Sequence, residues 1–174
     1  DDDDRTIIGN PNPKFTFGFN TSLTWRRFSL SADFTGSFGN NIYNYNLYAD
    51  LNTLPSTYIV ANVRREAYLD AWSPTNPSNK YPRLQYNDNF LSDRFVEDGS
   101  YLRLSNLSIS YRIPFKNKAF FMRSIYISLS VGNAFVLTKY SQWDPDVNSF
   151  GSSISRMGVD SGSYPGQRTY NFYV

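Results

Sequence analysis

Four runs of this chain alternate large apolar residues with small polar ones, and that two-residue period constrains the fold more than any other feature. In the first run Phe15, Phe17, Phe19, Leu23 and Trp25 share one parity, while Thr16, Gly18, Asn20, Ser22 and Thr24 share the other. Only an extended strand sends those two sets to opposite faces. After a turn at Arg26 and Arg27, the second run sets Phe28, Leu30, Ala32, Phe34 and Phe38 against Ser29, Ser31, Asp33, Thr35 and Ser37. The third sets Leu107, Ile109, Tyr111 and Ile113 against Ser108, Ser110 and Arg112, with Leu102 and Leu104 out of phase just before it. That slip predicts a β-bulge near Ser105. The fourth sets Ile125, Ile127, Leu129, Val131, Phe135 and Leu137 against Tyr126, Ser128, Ser130, Gly132 and Thr138. A shorter fifth run begins at Arg168 with Tyr170, Phe172 and Val174.

The expected fold class is therefore all-β and antiparallel, with strands at residues 14–25, 28–38, 101–113, 125–138 and 167–174 and long connections at 39–100 and 141–166. Two architectures share such alternation. A soluble sandwich, for instance an adhesin or glycan-binding module, buries each apolar face against a second sheet. A transmembrane barrel turns it to lipid. The polar parity favours the barrel, because it carries Ser, Thr, Asn and Gly where a face in bulk water usually carries Lys, Glu and Asp. Aromatic residues near strand ends, among them Trp25, Phe28, Phe38, Tyr43, Tyr101, Tyr111 and Tyr140, fit the two interfacial girdles of a barrel. Each full run has roughly the length of a tilted strand that crosses a bilayer.

Composition removes whole classes of chemistry. The chain has no Cys and no His, which takes away disulfides, thiolates and the commonest acid/base and metal ligand. Its many serines stand without an evident activating base, so no catalytic residue, metal or cofactor is expected. The net charge of +2 comes from 17 basic and 15 acidic residues spread along the chain, a pattern that argues against a nucleic-acid surface. No apolar stretch is long enough for a membrane helix.

Loop lengths orient the strands. The short connections are 26–27 and the stretch around 114–123, and in outer-membrane barrels short turns are periplasmic and long loops extracellular. The expectation is a bacterial outer-membrane location with Val174 on the periplasmic side. Five strands are fewer than the smallest single-chain bacterial barrels contain, so a larger barrel is expected to supply the rest. The opening Asp1 to Asp4 and Arg5 do not resemble a secretory leader, which is expected upstream.

Five sequence blocks carry a family resemblance. They are Arg5-Thr-Ile-Ile-Gly-Asn-Pro-Asn-Pro-Lys-Phe15 followed by Gly18-Phe-Asn20; Trp72-Ser-Pro-Thr-Asn-Pro-Ser-Asn-Lys-Tyr-Pro-Arg83; Ser92-Asp-Arg-Phe-Val-Glu-Asp-Gly-Ser-Tyr-Leu-Arg-Leu104; Leu137-Thr-Lys-Tyr140 with Asp144-Pro-Asp146; and Gly162-Ser-Tyr-Pro165 before Arg168-Thr-Tyr170. Their order over nearly the whole chain resembles the C-terminal barrel segment of SusC/RagA-family TonB-dependent outer-membrane transporters. The resemblance implies that residues 1–174 belong to a single barrel domain, as the last five strands of a 22-stranded barrel whose plug and TonB box lie outside this sequence. It further implies import of glycan or peptide oligomers, a SusD-like surface lipoprotein as lid, energy through the TonB complex, and a lipid bilayer around the strands. Family members usually end on a terminal aromatic, whereas this sequence ends at Val174.

Within the first long loop, Ser56 or Thr57 as N-cap and Ile59, Val63 and Ala67 on one stripe predict a helix over 56–72. Pro74, Pro77 and Pro82 then predict an extended descent. The loop aromatics Tyr45, Tyr48, Tyr58, Tyr68, Trp72, Tyr81 and Tyr86, with Trp143 in the second loop, are candidate contacts to substrate or lid, since Tyr and Trp join apolar area to a polar handle. The alternative is that they pack the loop against itself. Asp144, Asp146 and Asn148 have the spacing of a calcium turn, but Pro145 intervenes and no Gly or distal Glu completes the pattern, so an ordinary turn is expected. Glu97, Asp98 and Gly99 read as a tight turn with Gly99 at positive φ. Nothing in the sequence brings two carboxylates together for glycoside hydrolysis.

Overall fold

In the computed structural model, which describes residues 5–52, 63–83, 92–115, 122–147, 149–151 and 153–174, the alternating runs are strands of one sheet. In chain order the elements are β1 (Phe15–Trp25), β2 (Phe28–Phe38), β3 (Asn41–Asn44), α1 (Tyr45–Asn52), α2 (Arg65–Leu69), β4 (Val96–Asp98), β5 (Tyr101–Pro114), β6 (Ser124–Thr138), β7 (Val159–Asp160) and β8 (Thr169–Tyr173). They form two compact units. The sheet unit comprises residues 10–41, 98–147 and 164–174, and the loop unit 1–9, 42–97 and 148–163.

The sheet unit is a five-stranded antiparallel meander ordered β1-β2-β5-β6-β8. Register turns the alternation of each strand into rows that cross all five. Leu23, Leu30, Ile109, Leu129 and Phe172 stand side by side; the next row is Ser22, Ser31, Ser108, Ser130 and Asn171. A one-residue slip anywhere would mix those rows, so side-chain pattern and hydrogen-bond ladder enforce the same register.

The slip at Ser105 is a bulge. Pairing with β2 jumps from Asp33↔Asn106 to Phe34↔Leu104, and pairing with β6 jumps from Asn106↔Gly132 to Leu104↔Phe135. One extra residue on β5 brings Leu102 and Leu104 onto the apolar face despite their parity. On β6 the two skipped residues leave the parity unchanged. Asn133, one of the pair, sits at φ 50 and donates its side-chain amide to the carbonyl of Gln167 at 2.9 Å. Gly36 lies under the ring of its cross-strand partner Phe17, where a Cβ would collide.

The apolar face is uncovered. Leu23 is 65% exposed, Leu129 47% and Phe172 67%, which overturns the sandwich alternative, since a second sheet would bury them.

The loop unit holds a three-stranded sheet ordered β4-β3-β7, with β3 parallel to β7 through Tyr43↔Val159 and Asn44↔Asp160. Its core contains Ile42, Tyr48, Ala67 and Phe95. Asn44, fully buried, caps α1: its Oδ1 accepts from the Leu47 amide at 2.9 Å while its Nδ2 donates to Glu97 Oε1 at 2.7 Å.

Three expectations in the loops change. Of the helix expected over 56–72, the described part, 63–72, is helical only at α2, with Val63 before it and Trp72 after it; residues 56–62, with Ser56, Thr57 and Ile59, lie outside the described residues. The proline segment reverses rather than extends. Ser73 and Asn76 exchange backbone hydrogen bonds of 3.0 Å, Asn76 Nδ2 reaches the carbonyls of Leu69 and Ala71, and the Trp72 amide donates to Tyr81. These side-chain bonds outweigh the extended bias of Pro74 and Pro77. Gly99 is not among the glycines at positive φ; the turn is instead made by Asp98, whose carboxylate accepts from the Ser100 amide at 2.9 Å.

Candidate functional site

The polar face of the sheet unit is a continuous wall of hydroxyls and amides. Asp33 is its one acid on these strands: Asn20 Nδ2 donates to Oδ1 at 2.8 Å and Asn106 Nδ2 to Oδ2 at 3.2 Å, from the two neighbouring strands. Ser31 pairs with Ser108 at 2.8 Å, Thr35 with Ser105 at 2.8 Å and Thr24 with Ser29 at 3.3 Å. Asn171 donates to Ser130 at 3.4 Å. Each of these hydroxyls meets another hydroxyl or an amide rather than a base. Such a wall can hydrogen-bond water or a polar solute without activating it.

At the end of this wall, near the second long loop, Arg103 and Asp144 form an almost fully buried ion pair. Arg103 is 8% exposed and Asp144 7%. Arg103 Nη2 donates to Oδ1 at 2.5 Å and Nη1 to Oδ2 at 3.3 Å, a two-pronged contact. Asp144 also accepts the amides of Asp146 at 2.9 Å and Gly166 at 3.1 Å. Burial by itself would raise the Asp144 carboxyl, but the Arg103 guanidinium and those two amides outweigh it and hold the group below its ordinary range. One carboxylate thereby ties β5 to both ends of the loop between β6 and β8.

Asp144 thus has a role the sequence did not reveal. Its spacing to Asp146 suggested a turn, and a turn is present, but the partner at Arg103 is distant in sequence. The available signal was Arg103 itself, a charge placed at a strand position that the bulge assigns to the polar face. Among the described residues no group of three or more acidic or other metal-binding side chains is poised around an ion. Asn148 lies outside them.

The candidate aromatics do not converge on one surface. In the loop unit Tyr48 is only 9% exposed, with its ring edge-on to Phe95 at 5.3 Å and close to Tyr45 and Tyr43. There it packs within the core of the loop unit. Burial first, then the neighbouring Tyr48 and Tyr45, push Tyr43 up to about 12, and its buried hydroxyl has no hydrogen-bond partner among the described residues. Tyr45 and Trp72 are partly exposed, and Tyr68 is exposed. Tyr81 is half-buried beneath the Arg94 guanidinium, 4.6 Å from its ring centre, and beside the Lys80 ammonium. A shallow hollow of about 430 Å³ nearby is lined by Arg64, Arg65, Glu66, Leu69 and Asp70, and by none of the candidate aromatics among the described residues. In the sheet unit Trp143 is 78% exposed. Tyr58 and Tyr86 lie outside the described residues.

Comparison with known proteins adds a consistent picture. No protein-family model matches the chain. It is 36% identical over 173 residues to TonB-dependent receptor P3 of Formosa agariphila, an alignment that covers 96% of this chain and 16% of that protein. It is 23% identical over 172 residues to TonB-dependent receptor SusC of Bacteroides thetaiotaomicron, covering 98% of this chain and 16% of that one. Among solved structures, that of the RagAB peptide transporter superposes with a TM-score of 0.74 at 26% identity, over 94% of this chain and 17% of the other. The chain thus spans about one sixth of the proteins it matches.

Proposed function

From a chain that is a segment of a SusC/RagA-family TonB-dependent receptor, we infer a wall of an outer-membrane importer, with the apolar rows against lipid and the polar rows toward the lumen. The observation that carries this reading is the exposed apolar face of a sheet whose other face is a hydrogen-bonded wall of Ser, Thr and Asn. In hydrocarbon an unpaired backbone group costs several kcal/mol, so the outer edges of β1 and β8 would be paired by the remaining strands of a 22-stranded barrel, of which these are the last five. Residues 1–174 belong in this reading to that one barrel domain, with 39–100 and 141–166 extracellular and Val174 periplasmic.

The cargo would be an oligomer, glycan or peptide. RagAB is described as a peptide importer, and a surface lipoprotein lid of the SusD kind and the TonB complex would complete the machine. Tyr45, Tyr68, Trp72, Tyr81 and Trp143 remain the proposed contacts to cargo or lid. Tyr86 retains that assignment from sequence alone.

The test is made in the full-length receptor. Leu129→Arg and Ile109→Arg should each cost about 2–4 kcal/mol if these residues meet the bilayer midplane. They should reduce the heat-modifiable, outer-membrane form of the receptor. The lumen-face controls Ser128→Lys and Ser130→Lys should insert normally. Equal damage from Ser128→Lys and Leu129→Arg would refute the assignment of faces.

A further inference from the structure

The two ends of the five-stranded sheet differ in charge. Residues 5–32 and 99–143 contain no Asp or Glu at all, so the end of the sheet with the short connections has no acid to balance its bases. Four arginines gather there. Arg26 and Arg27 form the β1–β2 turn, the Arg112 amide donates to the Arg27 carbonyl at 2.9 Å, and the Phe115 amide donates to the Arg123 carbonyl at 3.0 Å. All four side chains are exposed, and among the described residues none makes an ion pair.

The position of these charges relative to the apolar face is specific. On β1 and β2 the last row of that face is Trp25 and Phe28, continued by Tyr111 and Ile127 on β5 and β6, where one further apolar pair, Ile113 and Ile125, follows. Immediately beyond it, the Arg26 guanidinium lies 5.2 Å from the centre of the outward-facing Trp25 ring. An aromatic ring with a guanidinium resting on it is suited to the boundary between acyl chains and headgroups. Arg26 also occupies φ 57, a left-handed conformation in which glycine is the relaxed choice. A strained arginine where glycine would fit suggests that its side chain is the reason it is there.

We propose that Arg26, Arg27 and Arg123 form a binding belt for the phosphate groups of anionic glycerophospholipids in the leaflet at the short-turn end. The reading rests on the barrel assignment above, which makes that leaflet the periplasmic one. The charge match is one-sided: three exposed guanidiniums with no ion pair among the described residues, no Asp or Glu in residues 5–32 or 99–143, the Trp25 and Phe28 row directly above Arg26 and Arg27, and the Ile113 and Ile125 pair above Arg123. Guanidinium is the side chain best shaped to chelate phosphate. Each basic residue at an anionic membrane surface strengthens binding by about five-fold.

The experiment uses the full-length receptor in detergent, equilibrated with equal amounts of phosphatidylglycerol and phosphatidylcholine and read by native mass spectrometry of retained lipid. Wild type should retain phosphatidylglycerol preferentially. The triple variant R26Q/R27Q/R123Q should lose about ten-fold or more of that preference, while K14Q/K139Q, at the opposite strand ends, should keep it. An unchanged preference in the triple variant, or an equal loss in the control, overturns the belt. So does abolition of the preference by millimolar inorganic phosphate, which would mark a site for free anions. Heat-modifiable gel migration is run on every sample. A receptor without that barrel signature sinks both this proposal and the importer reading, whereas an intact barrel with no lipid preference sinks the belt alone.

Discussion

The sheet unit and the loop unit of this chain are stabilised by different means. In the sheet unit backbone ladders and cross-strand rows make the structure, and large apolar side chains remain exposed. In the loop unit the regular elements are short, but Ile42, Tyr48, Ala67 and Phe95 are buried, and Asn44 and Glu97 hold α1 and β4 through side chains. A segment that keeps its own small apolar core is built for water. One that displays its apolar residues relies on its surroundings to cover them. Sequence alternation makes only the second kind of unit easy to recognise.

The largest effect that would sharpen this contrast is at the buried ion pair. Asp144→Ala leaves the Arg103 charge buried and unpaired, and about 3–5 kcal/mol of local stability should be lost. Hydrogen exchange should accelerate at the Asp146 and Gly166 amides, and not at the α1 amides of the loop unit. Equal acceleration in both units would mean that they unfold together and that the contrast is false.

Next comes the cap. Asn44→Ala should cost about 1–2 kcal/mol, confined to the loop unit and seen as faster exchange at Leu47. Tyr43→Phe removes a buried hydroxyl that has no partner among the described residues and should be neutral or stabilise the loop unit by about 1 kcal/mol. A clear destabilisation would reveal a partner for that hydroxyl. The smallest effect belongs to the polar wall, where Thr24→Ala breaks an exposed contact of 3.3 Å and should change stability by less than about 1 kcal/mol.

Acid should separate the units as well. The Asp144 carboxyl titrates below its ordinary value in the folded chain, so its contribution is fully present above the unfolded value of about 3.9 and is lost as pH falls through the lower folded value. Asp98, held down first by the Ser100 side chain and then by its amide, follows the same sign. Loop proteolysis between β6 and β8 should therefore stay constant through mildly acidic pH and rise only in strong acid. In Asp144→Asn that acid-dependent component should disappear.

Much of the sheet was legible in residue order because a two-residue period is local. Phe15 to Trp25 announces a strand without any knowledge of its neighbours, and Leu104 followed by Leu107 announces a bulge. The candidate site was legible only in part. Asn20 and Asp33 stood out as the polar face, yet their pairing with Asn106 depends on register. Tyr48 reads as a binding aromatic because composition does not distinguish a ring packed edge-on against Phe95 from one that meets a ligand. The helix α1 was missed, although Asn44 three residues before Leu47 was a usable cap signal. The prolines at 74 and 77 misled, because Ser73 and Asn76 bond across them.

By itself, the sequence determined the strands, their two unlike faces, the bulge and the absence of thiol or imidazole chemistry, since each follows from residue type and spacing along a few positions. Only the tertiary structure decided that Arg103 meets Asp144, that Tyr48 is core and Trp143 is not, and that Arg26, Arg27, Arg112 and Arg123 share one end of the sheet. Those outcomes depend on which strands become neighbours and in what register, and pairing is a property of the folded chain.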